Sequence, residues 1–136
     1  MDRQRQLVWV LRLLGVIELM AVPTLLMPTV SMEWVHRGLG LGELPMTPVV
    51  EYLARSLSAF YAAHGVMVLF LSRDVERFAP VIRCWGALMV AMGGVLLAID
   101  LSAGLPMWWT ISEGPFALVF GTAIFRLGRG LESSGA

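Results

Sequence analysis

Lysine is absent from this sequence of 136 residues, and cysteine occurs once. Only 15% of positions are charged, and two are histidine. A soluble globular domain carries about 25% charged residues, so an ordinary soluble enzyme and a disordered tail are both excluded. Ten arginines balance ten acids to a net charge of zero, which leaves no basic excess for nucleic-acid binding. The single cysteine, Cys84, allows no internal disulfide and no CxxC site; its expected role is a small buried hydrophobe. His64 stands in no HxxxH or ExxH spacing that would support a metal site with Glu18, and His36 falls in a loop between spans, so no metal, haem or other cofactor is expected. The glycines form no phosphate cradle. Ser56 and Ser58, near His64, are expected to bond backbone carbonyls rather than serve in a Ser–His–acid arrangement. No catalytic residue is assigned, and the pattern points away from an enzyme.

What is abundant is apolar. Hydrophobic residues make up 57% of the chain, and mean hydropathy is +0.75. A transmembrane helix takes about 20 mostly apolar residues, so four take about 80. The expected fold is an all-α, four-helix transmembrane bundle, with residues 1–136 as a single integral membrane domain. The first span is expected at about 7–27. Arg3 and Arg5 precede it as in a signal peptide, but Arg12 and Glu18 interrupt its apolar region and no small-x-small pattern follows before Pro23. A retained helix is expected, bent or ended near Pro23 and Pro28. The second span, about 48–71, has Thr47 to cap it and Pro48 where a missing N–H costs nothing. The third, about 80–101, is stopped by Gly104 and Pro106. The fourth, about 106–127, contains Pro115, which should kink it or mark its true start. A frayed tail from Glu132 to Ala136 should follow.

Arginine placement orients the spans. Arg3, Arg5, Arg12, Arg73, Arg77, Arg83, Arg126 and Arg129 fall on one side of a four-span arrangement, while Arg37 and Arg55 fall on the other. The positive-inside rule then puts both termini in the cytoplasm, as in a bacterial-type inner (plasma) membrane. Trp9 and Trp85 at the inner interface, and Trp34, Trp108 and Trp109 at the outer one, agree. The longest connection, about 30–46, contains Gly38, Gly40 and Gly42. A short interfacial turn from Ser31 to Arg37 and then a loop are expected there. The lipid bilayer is the main expected partner, with a larger membrane complex or a homo-oligomer as further ones.

Lipid is as apolar as leucine, so small residues that let backbones approach must hold such helices together. The third span has two stripes of them, Ala87/Ala91/Gly94/Ala98 and Gly86/Gly93/Asp100. It should therefore be the central, most enclosed helix. A weak repeat is also visible. Arg12-x-x-Gly15 opens the first span and Arg83-x-x-Gly86 the third; Phe60 and Gly65 in the second match the spacing of Phe116 and Gly121 in the fourth.

Ionisable residues within the spans carry the functional reading, because a charge inside the bilayer is costly and usually faces the protein interior. Glu18 lies about 16 Å along the first span. Arg55 lies about 10 Å inside the second, on one face with Glu51, Ser58 and Tyr61, and His64 is deeper. Asp100 ends the third span, and Glu113 adjoins the Gly114-Pro115 break. Glu18, Arg55, Tyr61, His64, Asp100 and Glu113 are the candidate ligand- or proton-binding residues. Two arrangements are open: a packing staple of Arg55 with Glu113 or Asp100, or a polar pocket in the outer half of the bundle. If the acids converge, Arg55 cannot neutralise all of them. At Glu113, Ser112 could instead cap a helix that begins there.

The run Leu11-Arg12-Leu13-Leu14-Gly15, with the chain length and four spans, resembles the DoxX-like group of small bacterial membrane proteins. That resemblance implies a four-helix membrane topology and assigns no functional residue. A glutamate inside the first span also resembles the small multidrug resistance transporters, which would give Glu18 a role in binding protons and cations. The sequence reading is thus a small integral membrane protein, non-enzymatic, either an accessory or a ligand-binding protein. A proton-coupled transporter or ion pathway is the alternative.

Overall fold

The computed structural model describes residues 2–132, and all its regular structure is helical. Six helices follow in order: α1 (Arg3–Leu19), α2 (Val22–Leu26), α3 (Thr29–Gly38), α4 (Pro48–Leu71), α5 (Ala79–Ala103) and α6 (Met107–Glu132). Three stretches are long and apolar enough to cross a membrane: Arg3–Leu26, Pro48–Leu71 and Ala79–Ala103. α6 has the length, at 26 residues, but Ser112, Glu113, Gly114 and Pro115 dilute its apolar character.

Local chemistry accounts for the helix ends. Pro23 has no N–H to give the carbonyl of Leu19 and its ring crowds that carbonyl; α1 ends at Leu19. The chain tightens there, with Met20 and Ala21 donating to Ile17 and Glu18 at 3.1 Å. Met27, before Pro28, is extended (ψ 137°), as a residue preceding proline prefers. The segment after it is a full helix, α3, rather than a short turn. Two left-handed glycines, Gly40 (φ 72°) and Gly42 (φ 85°), follow it, a conformation costly for other residues. Thr47 Oγ1 accepts from the Val50 amide at 3.4 Å to open α4. Gly104 (φ 66°) closes α5 by donating to the Asp100 carbonyl.

Pro115 does not begin a helix: α6 runs through it from Met107 and continues past Leu127 to Glu132. Ser112 is not a cap either; its hydroxyl donates to the Trp109 carbonyl at 2.9 Å. The tail beyond Glu132 lies outside the described residues.

By packing, the described residues form two compact units, residues 15–67 and residues 2–14 with 68–132. In the second of these, Leu7, Leu11 and Leu14 present one face of α1 at helical spacing. They form a buried cluster with Val68, Leu71, Val75, Ile82 and Ile124. The antiparallel pair α5–α6 is held by glycine. A Cβ on Gly86 would lie 3.1 Å from the Gly121 carbonyl oxygen, and one on Gly93 would lie 2.9 Å from that of Gly114. Only the Gly86/Gly93/Asp100 stripe is therefore the packing face. Ala87, Ala91, Gly94 and Ala98 are exposed, and nothing lies within 4 Å of a Cβ on Gly94. This corrects the expectation that the third span is the most enclosed helix. Cys84 is also exposed rather than buried. Large apolar side chains remain uncovered along every long helix, among them Leu13, Phe60, Met92 and Val119. A water-soluble protein seldom leaves so much apolar surface open.

Candidate functional site

The site residues fall into separate clusters. The first lies in the unit of residues 15–67, where α1 and α4 approach closely. A Cβ on Gly65 would be 2.8 Å from the Gly15 carbonyl oxygen and 3.1 Å from Glu18 Cβ. This small residue brings its neighbour His64 against α1. His64 Nδ1 and Glu18 Oε2 are 2.8 Å apart. The Glu18 side chain is 9% exposed and that of His64 30%. This is hydrogen-bond distance: a ring proton on Nδ1 donates to the carboxylate, and in the other tautomer Nδ1 accepts from a protonated carboxyl.

The same contact recurs between α5 and α6 without the charges. A Cβ on Gly121 would meet Met89 Cβ and the Val90 amide nitrogen, each at 2.8 Å, and the Gly86 carbonyl oxygen at 2.9 Å. Gly15, Glu18 and Leu19 of α1 stand in the register of Gly86, Met89 and Val90 of α5. Gly65 of α4 answers to Gly121 of α6, and the residues before them are His64 and Phe120. The weak repeat in the sequence thus has a physical counterpart, one glycine contact made twice. In one copy an acid and a histidine flank it; in the other, methionine and phenylalanine do.

Arg55 belongs to a different structure. Its guanidinium donates to the carbonyls of Leu25 (2.6 Å) and Met27 (3.0 Å) and pairs with Glu51 at 3.0 Å. Those carbonyls end α2, where backbone acceptors lack intrahelical partners and the helix dipole is negative. Arg55 is a C-terminal cap for a broken helix. Of the two open arrangements, the staple named Glu113 or Asp100 for Arg55; the acid paired with it here is Glu51. Arg55→Ala should therefore lower stability in mild detergent by about 2–3 kcal/mol, given about 1.5–3 kcal/mol for a hydrogen bond to a charged group and the partial exposure of the site. Adding Glu51→Ala should recover little, because the two carbonyls stay unpaired. Thermal melts of the single and double variants check this.

Glu113 accepts a hydrogen bond from Trp109 Nε1 at 2.8 Å, one turn earlier on α6. Asp100 is 2% exposed, and its Oδ2 has no hydrogen-bond partner among the described residues. A buried unpaired polar atom costs about 1–3 kcal/mol. Asp100→Asn should accordingly leave the melting temperature unchanged or raise it; a clear fall would show that the carboxylate itself is needed. Ser58 Oγ donates to the Ala54 carbonyl at 2.8 Å, the backbone bond expected of it. Tyr61 lies on the exposed side of α4. Among the described residues no group of three or more His, Cys, Asp and Glu side chains could hold a metal ion.

Sequence reasoning named Glu18 and His64 as candidates but did not foresee their direct hydrogen bond. Its partners stand 46 residues apart on different helices. The usable signal was the glycine register, with Glu18 one turn after Gly15 and His64 just before Gly65. Comparison with protein-family models, curated proteins and solved structures finds no match to this chain.

Proposed function

We propose that this chain is a non-enzymatic, multi-pass integral membrane protein whose functional centre is the Glu18–His64 pair, acting as a reversible proton-binding site. α6 serves as the fourth span, both termini lie in the cytoplasm, and the host is a bacterial-type inner membrane. The three apolar helices and the one-sided arginines support that topology, as does the resemblance to the DoxX-like group. One observation carries the functional reading. The equivalent glycine contact between α5 and α6 packs with Met89 and Phe120, so the helix approach itself does not require an ionisable pair. Charged groups in a bilayer are expensive and are kept mainly where they serve a pathway or a ligand.

Infrared difference spectra of the protein in lipid vesicles, recorded between acidic and neutral pH, test this reading. Acidification gives carboxyl bands from every acid that titrates, and one component of them should be missing in Glu18→Gln. Bands wholly unchanged by that substitution would sink the proposal. Proton uptake into the same vesicles separates a static binding site from the alternative, a proton-coupled pathway.

A further inference from the structure

We propose that the inner end of α1 carries a binding site for the phosphate of an anionic phospholipid, formed by Arg5 and Arg12 on either side of Trp9. This rests on the membrane reading above but not on the Glu18–His64 pair. A hollow of about 510 Å³ is lined by Gln4, Arg5, Val8, Trp9 and Arg12. Arg5 and Arg12 are exposed, and neither has an ion-pair partner among the described residues. Other arginines are engaged: Arg37 with Glu33 and Glu43, Arg55 with Glu51, and Arg73, Arg77 and Arg129 over the rings of Phe70, Phe78 and Phe125.

The position of Arg12 makes a missing counter-ion costly. It sits within the apolar run, flanked by Trp9 (65% exposed) and Leu13 (53% exposed), on a surface that faces hydrocarbon if the helix spans the membrane. A long arginine side chain relieves this by reaching back to the headgroup level. Arg5 is seven residues earlier, about 10 Å along the helix, and on the same face. Trp9 lies between them, a residue type suited to the headgroup level. The first turn of α1 contains no acid, and no Asp or Glu occurs from Arg3 to Ile17. Cations at a helix N-terminus are opposed by its dipole. The acid nearest to Arg5 in sequence is Asp2, the exposed residue just before α1, and two guanidiniums without an ion-pair partner among the described residues are complementary to a phosphate, which arginine grips through paired N–H donors. The outward position of the hollow and the depth of Arg12 favour a lipid phosphate over a soluble one.

The test is native mass spectrometry of the full chain released from vesicles of equal phosphatidylcholine and phosphatidylglycerol. Phosphatidylglycerol should be retained in preference. The R5Q/R12Q variant should lose that preference by about thirtyfold, the equivalent of roughly 1 kcal/mol for each of two arginines. R5K/R12K should keep most of it, and R126Q all of it, since Arg126 is outside the hollow. Equal retention of both lipids, an unchanged preference in R5Q/R12Q, or displacement by millimolar inorganic phosphate would each overturn the proposal. Resistance of the protein to alkaline carbonate extraction separates the two readings: a protein washed off the vesicles fails the membrane reading, whereas one that stays without lipid preference fails this inference alone.

Discussion

Gly121→Val should unfold or severely weaken the α5–α6 pair, whereas Gly94→Val should be tolerated. At Gly121 an added Cβ would come within 2.8 Å of the Val90 amide nitrogen and 2.9 Å of the Gly86 carbonyl oxygen. Both are backbone atoms, so no side-chain rotation relieves the clash and the helices must move apart. Separation forfeits the close contacts on which helix association in lipid depends. The expected cost is on the order of 3 kcal/mol, the upper end for overpacking. Gly93→Val should behave alike, since its Cβ would meet Gly114 O and Leu118 N, each at 2.9 Å. Gly94 is the neighbour of Gly93 in sequence but opens outward, with nothing within 4 Å. Melting of the three variants in mild detergent decides the matter. Equal stability of all three would mean that α5 does not pack through the Gly86/Gly93 stripe.

The second large effect concerns the Glu18–His64 pair. His64→Phe should be strongly destabilising because it leaves a nearly buried acid without its partner. Breaking a buried pair costs about 3–5 kcal/mol, and the partial exposure of His64 places this case near the lower end. Glu18→Met should cost less, since the remaining imidazole is better exposed. The double variant Glu18→Met/His64→Phe writes the Met89–Phe120 arrangement into α1 and α4. It should recover most of the loss, with a coupling of about 2 kcal/mol in the double-mutant cycle. It should also remove the Glu18 component of the carboxyl infrared band. A double variant no more stable than His64→Phe alone would show that the two glycine contacts are not equivalent. A stable double variant lacking proton binding would separate what the pair does for packing from what it does chemically.

The failed expectations share one cause. Arg55 was a conspicuous charge within a span, and residue type alone suggested an acid as its partner. The structure gives it Glu51 and two backbone carbonyls, because the break imposed by Pro23 and Pro28 leaves the carbonyls at the end of α2 without backbone donors. Backbone groups bear no name in a sequence, so a side chain that caps them looks unpaired. The two small-residue stripes of α5 posed a similar problem. Each is compatible with close approach, and they lie side by side on one helix. Which one meets α6 depends on where Gly114 and Gly121 fall on the opposing helix.

The sequence by itself determined the helical class, the limits of α4, the stop at Gly104 and the break ahead of Pro23. These follow from residues acting over a few positions: a missing N–H, a left-handed glycine, a run of apolar side chains long enough to cross a bilayer. It also held the repeat of arginine and glycine in faint form. Tertiary structure alone decided that His64 meets Glu18, that Arg55 closes α2 and that Asp100 has an oxygen unpaired among the described residues. These depend on the rotation and depth of one helix against another, which the glycine contacts set to within a fraction of an ångström and which no local pattern encodes.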